Sequence, residues 1–449
     1  MVSIHNFATC TRPILQAVAA IADAAEALSH SRLFGQLEIP TVFKRRSSLS
    51  LCLFAIALSG EAHAITIEVL SVPLAGQSQL MDAFKADHPE IDLKLRPPVV
   101  NYDDLMQHLL RDRISKTMPD VIFQGFNHSE LTVERGLAMP LSPFLNADQE
   151  WAHDSYRTNS DELCRHNDKI YGLPFIISVP ILYYNADLVR QAGGDPDHLP
   201  QTWEKITALA ARITALGGNR IGGFFDYASA GNWTFLSLVE SQGGRMMSPD
   251  NRAIAFNGSE GRRALDIIRD FGKAGQIDMP RDQAYQAFSA GTVGVIVTSS
   301  GFLKNLMRQA KFEVRTMALP MADNGRLSAG GNCMMMLAQD PERQKAAWTF
   351  MKYMASPAAQ QAIAESTGYL PGNSLAIAQL ERTATLDDPR NASIRASAKV
   401  GEWRSFPGDN SLRITELIQG MLQEVVTLRR TPEQVMPQMT EIVRGLLPK

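Results

Sequence analysis

The side chains able to carry out covalent chemistry are thinly spread. The nine histidines never fall into the H-E-x-x-H spacing that puts two imidazoles on one helix face around a zinc ion. No G-x-S-x-G lifts a serine onto a strained turn, and no C-x-x-C offers a paired thiolate. The phosphate-cradling G-x-x-x-x-G-K-[ST] loop and the G-x-G-x-x-G turn are also missing. A glycosidase needs two cleft carboxylates at a set separation, and nothing in the sequence singles out such a pair among its 47 acidic residues. What remains is non-covalent recognition by hydroxyls, guanidinium groups, aromatic faces and bare backbone. The chain is therefore read as a binder rather than an enzyme, with no catalytic residue, metal or cofactor expected.

Composition narrows the partner. Lysine and arginine number 44, for a net charge of -3, and no dense basic run offers a footprint for a phosphate backbone, so nucleic acid is not expected. The strongly apolar run Leu49 to Leu58 is too short for a membrane-crossing helix, which needs roughly 20 residues. Lys44, Arg45 and Arg46 precede it and Ala62-His63-Ala64 follows, the layout of a cleavable secretory signal. Cleavage after Ala64 would begin the mature chain at Ile65, and the residues ahead of Lys44 point to a start nearer Val42. Leu51 before Cys52 is too large for a lipidation site. Of the four cysteines, Cys164 and Cys333 then remain, too few for a disulfide scaffold; they are read as two isolated small side chains, with pairing left open.

The elements that must position a binding site alternate between strand and helix from Ile65 onward, the pattern of α/β domains. Ile65 to Leu70 and Ile91 to Leu95 alternate in polarity, and Val121-Ile122-Phe123 follows a helix over about 102–115. The apolar stretch Phe175 to Tyr184 predicts a crossing between lobes. Thr202 and Ser259 are expected to cap helices, and Thr431-Pro432 to open the last one. The strand Val293 to Val297 reads as a return to the first lobe, with another crossing near Ser328 to Asn332. The expected layout is an extension and signal over 1–64, the signal itself at about 42–64. A first lobe follows at 65–176 plus 298–328, and a second at 177–297 plus 329–449.

Several short motifs occur in a telling order: Tyr171-Gly172-Leu173-Pro174, Pro180 to Leu188, Pro200-Gln201-Thr202-Trp203, Phe288-Ser289-Ala290-Gly291, Ala329-Gly330-Gly331-Asn332 and Thr367-Gly368-Tyr369-Leu370-Pro371. Together they resemble the extracellular solute-binding proteins of ABC importers, in the maltodextrin-binding-like class. Asn101-Tyr102-Asp103, Ser178, Trp233, Thr298 to Gly301 and Gly408 to Arg413 make the chain most similar to the periplasmic binders of glycerol-3-phosphate and glycerophosphodiesters. The resemblance covers Ile65 to Lys449. It implies a two-lobed, type II-like periplasmic-binding-protein fold, each lobe an α/β sheet flanked by helices, with the ligand cleft between them.

The same resemblance implies the site. Tyr102, Ser178, Trp233, Ser300, Gly330, Gly331, Tyr369 and Arg413 match residues that line the family's cleft. Their types suit the task. Arg413, Ser178 and Ser300 would give donors to a phosphate, Gly330 and Gly331 would let backbone approach it, and Tyr102, Trp233 and Tyr369 would cover carbon. Where the phosphodiester binders carry a carboxylate, this chain reads Gln124-Gly125-Phe126-Asn127-His128, and Asn127 is the expected replacement. The implied protein is a periplasmic monomer that captures a phosphorylated glycerol derivative and delivers it to an ABC permease at the inner membrane. An oligosaccharide binder is the alternative, and an exported carbohydrate-active enzyme a more distant one.

Overall fold

The computed structural model describes residues 64–449 except 74–75 and 152–160; the signal-peptide and start-site readings lie outside them. The first strands follow the alternation seen in the sequence. β1 (Ile65–Leu70) pairs in parallel with β2 (Ile91–Leu95) on one side and β3 (Val121–Gly125) on the other. The helices Gln77–Asp87 and Tyr102–Ser115 make the crossovers. The second of these is started by Asn101, whose side chain accepts from the Asp104 N–H at 2.9 Å. β2 exposes alternate residues, as an edge strand does, while β3 is buried throughout.

A short hairpin, β4 (Arg165–His166) and β5 (Lys169–Ile170), precedes two strands that run almost without interruption. β6 (Gly172–Ser178) and β7 (Pro180–Asn185) are separated by Val179 alone, and every residue of both is buried. Yet they belong to different sheets. β6 joins the first sheet, and β7 is central to a second one with β8 (Ile221–Phe225), β9 (Val293–Ser299) and β10 (Val314–Ala318). After β11 (Leu327–Ser328) the chain crosses back at Ala329 into β12 (Gly330–Met336), then β13 (Leu370–Pro371); β14 (Val400–Gly401) pairs with β11. The six-stranded sheet has the order β13-β6-β12-β3-β1-β2 and the four-stranded sheet the order β10-β7-β9-β8.

This topology corrects the expected lobe boundaries. The segment 298–328 does not return to the first sheet, because β10 pairs antiparallel with β7, Val314 opposite Asn185. The segment from 329 does not stay with the second, because β12 lies between β3 and β6, with Asn332 opposite both Gly125 and Ile176. Composition could not separate these cases, since antiparallel and parallel neighbours of a buried strand look equally apolar. Local signals fared better at most positions. Thr202 caps Trp203–Ala215 and Thr431 makes a capping box with Gln434, but Ser259 is the first residue of its helix, after Gly258.

The two cysteines are also corrected. Cys164 and Cys333 form a disulfide that ties the short helical turn Asp161–Cys164 to β12, their Cα atoms 5.9 Å apart and both side chains fully buried. Behind the six-stranded sheet, Phe84, Phe123, Phe175 and Phe350 meet edge to face.

Candidate functional site

Where the chain passes between the sheets, side chains from both halves enclose a cavity of about 300 Å³. Six of the expected residues line it: Tyr102, Ser178, Trp233, Gly330, Gly331 and Tyr369. Tyr102 comes from the first turn of its helix and accepts at its hydroxyl from Asn332 Nδ2 at 3.0 Å. Trp233 opens the helix Trp233–Ser241 and anchors its indole by donating to the Ser328 carbonyl at 3.0 Å. Tyr369 sits just before β13, and burial pushes its phenol up to about 12, so it stays a neutral donor. The paired glycines follow from steric need. A Cβ on Gly330 would lie 2.6 Å from both Ser178 Oγ and the Trp233 ring, and one on Gly331 2.0 Å from the Ile176 carbonyl oxygen.

Three expected residues lie elsewhere. Arg413 is exposed as the third residue of the helix Ser411–Val426 and does not line the cavity. Ser300 is buried, but its groups serve the crossing: its N–H donates to the Val179 carbonyl at 2.9 Å and its Oγ accepts from the Val179 N–H at 3.3 Å. Asn127, also buried, lies beside the Asp103 carboxylate and lines a separate hollow of about 370 Å³.

The charged groups of the cavity went unnoticed in the sequence. Arg281 begins the helix Arg281–Ser289, and its guanidinium carbon stands 5.7 Å from the centre of the Phe302 ring. It makes no hydrogen bond or ion pair to a described residue within bonding distance. Burial opposes its charge, but the nearby Asp226 carboxylate, with Tyr285 and Asp282, holds it more firmly protonated than usual. Asp226 directly follows β8 and is 1% exposed. Its Oδ2 accepts from Thr298 Oγ1 at 3.0 Å, which is itself 2.7 Å from the Tyr285 hydroxyl, while Oδ1 has no partner. Burial pushes this carboxyl above its ordinary range, against the pull of Arg281. Trp403 completes the wall, 6.1 Å from Trp233 and 6.3 Å from Tyr102 between ring centres.

Sequence signals for these residues were slight. Asp226 ends an apolar strand, the end at which open α/β sheets place ligands, whereas nothing around Arg281 or Trp403 marks them. A wider hollow of about 1190 Å³ runs along β10; its Arg315 already pairs with Asp197 and Glu313, and its Arg395 is exposed. Among the described residues no cluster of histidine, cysteine and acidic side chains could hold a metal ion, and no helix is long and apolar enough to cross a membrane.

Comparison with known proteins agrees with this architecture. The sn-glycerol-3-phosphate-binding periplasmic protein UgpB of Salmonella typhimurium is 25% identical over 291 residues, which is 61% of this chain and 65% of that protein. The Escherichia coli UgpB matches to the same extent, so the chain spans just under two thirds of these relatives' length. Among solved structures, UgpB from Mycobacterium tuberculosis in complex with glycerophosphocholine superposes with a TM-score of 0.74 at 19% identity, covering 85% of this chain and 98% of that one. The sugar-binding protein MalE from Xanthomonas citri gives 0.65 at 18%, covering 85% and 97%. At such identities these likenesses establish the two-lobed α/β fold. Residues 79–388 match the model of the bacterial extracellular solute-binding proteins, and the chain belongs to that family.

Proposed function

We propose that this protein is the solute-binding component of an ABC importer and that its ligand is a small phosphorylated glycerol derivative, glycerol-3-phosphate or a glycerophosphodiester. The observation carrying the choice is Arg281, a cavity guanidinium without a bonded protein partner. A half-buried cation with free donors suits an anion that accepts two parallel hydrogen bonds. The unpartnered Oδ1 of Asp226, buried at the cavity wall, would accept from glycerol hydroxyls once the halves part, and the faces of Trp233, Trp403 and Tyr102 would cover the carbon skeleton or a cationic head group. The names of the curated relatives and of the glycerophosphocholine complex support the same ligand class.

The protein would work in the periplasm as a monomer and present its closed form to an inner-membrane permease. Ligand contacts to both halves give the closed form its extra affinity. Tyr102 and Tyr369 would act from the side of the six-stranded sheet, and Asp226, Trp233 and Arg281 from the other. A neutral oligosaccharide is the second reading. The ring-rich wall and the sugar-binding relative favour it, while a cavity of about 300 Å³ limits it to a short saccharide.

Calorimetry with glycerophosphocholine, glycerol-3-phosphate and maltotriose separates the two. Binding of a phosphate compound, with heat lost in Arg281→Gln, is the expected result. Binding of maltotriose alone would replace the anion reading by the sugar one.

A further inference from the structure

Beside the cavity, but outside its lining, a run of hydrogen bonds passes from one half of the molecule to the other. Asp103, one residue after Tyr102, accepts at Oδ1 from His128 Nε2 at 2.7 Å and at Oδ2 from the Gly231 N–H at 3.0 Å. On the far side of the same imidazole, Nδ1 lies 3.1 Å from Ser405 Oγ, and the Ser405 N–H donates to the Asn127 carbonyl at 3.2 Å. Asp103, Asn127 and His128 stand on the helices Tyr102–Ser115 and Phe126–Glu134, which pack on the six-stranded sheet. Gly231 lies in the short 3₁₀ turn before Trp233. Ser405 leads into Ser411–Val426, a helix that packs through Ser259–Lys273 onto β8. The imidazole is thus tied to groups of both halves.

The set is built to be stiff. His128 is 1% exposed, so its bond to a carboxylate is shielded from water and charge-assisted. With Nε2 bonded to Asp103 and Nδ1 to the Ser405 hydroxyl, the ring is held from both sides in one orientation. Burial alone would raise the Asp103 carboxyl, yet His128 and the Gly231 N–H hold it below its ordinary value, so it stays an ionised acceptor. Arg135 and Asp409 add an exposed ion pair across the same seam, which contributes little.

We propose that Asp103, His128 and Ser405 are positioning residues that latch the two halves together without contacting ligand, so that the protein populates its closed form before a ligand enters. This rests on the reading that the halves open and close. Such pre-closure would raise apparent affinity for any ligand by the factor by which it raises the competent fraction.

The test contains no ligand, so its failure leaves the calorimetric result standing. Spin labels at Lys85→Cys and Lys205→Cys, exposed positions on the two halves, report their separation by pulsed dipolar spectroscopy on protein stripped of ligand by unfolding and refolding with its disulfide intact. The unsubstituted latch should give a population at the separation of this structure. His128→Ala should lower its ratio to the open form about tenfold, equivalent to about 1.4 kcal/mol, and Ser405→Ala by a smaller factor. Asp103→Asn serves in place of any variant that does not fold. A ligand-free protein showing only the open separation, or variants keeping the original ratio, would overturn the proposal.

Discussion

At the scale of single residues, the cavity combines a group that is costly to bury with one that offsets it. Asp226 is held by one hydroxyl and has an empty acceptor, and burial raises its carboxyl. A raised folded value means that the native protein keeps a proton which the unfolded chain has released. From about pH 4 upward, until that folded value is passed, this carboxyl therefore lowers stability as pH rises. Asp226→Asn should unfold about 2 °C higher than the parent at pH 7 and at the same temperature near pH 4, as calorimetric melts would show. The same variant should lose ligand affinity. Arg281→Gln should weaken a phosphate ligand roughly 100-fold, the loss of charge-assisted hydrogen bonds, with far-UV circular dichroism unchanged. The sequence brought out Tyr102, Ser178, Trp233, Gly330, Gly331 and Tyr369 through short motifs. It assigned the anion partner to Arg413, whose neighbourhood matched a family pattern although its side chain is exposed. A lone arginine has no local marker of burial, and only the tertiary arrangement sets Arg281 facing Asp226.

At the scale of elements, periodicity and capping make the first strands and their helices readable and the family resemblance implies the two-lobed plan, while partner choice among strands is not legible. The sequence points β10 and β12 to the wrong sheets because a strand's own composition does not say which sheet it joins: β10 stays with β9 in the four-stranded sheet, whereas β12 crosses to a place between β3 and β6. The disulfide belongs here too. It joins residues separated by 169 positions, linking the turn Asp161–Cys164 to a strand at the middle of the six-stranded sheet. Such a long closure removes much freedom from the unfolded chain, and Cys333→Ser should cost about 2–5 kcal/mol. A chemical melt of that variant, compared with the parent under reducing and non-reducing conditions, would measure it; equal midpoints would mean that the bond stabilises little.

For the whole molecule, the family is one of solute-binding proteins, and the rings of Trp233 and Trp403, which line the cavity, would report on a ligand bound there. Titration with the true ligand should change tryptophan emission and shrink the radius of gyration by small-angle scattering. A ligand that shifts emission without compaction would mean binding to one half alone. The single residue between β6 and β7 sets how such compaction can happen. Val179 is gripped on both its N–H and its carbonyl by Ser300, so the strand that would otherwise act as a loose tether is fixed at its midpoint. An opening motion would then turn about this fixed point together with the second crossing at Ala329. On that view Ser300 serves as the bearing of the machine, and a bulkier residue there would jam the motion while leaving the ligand's contacts intact.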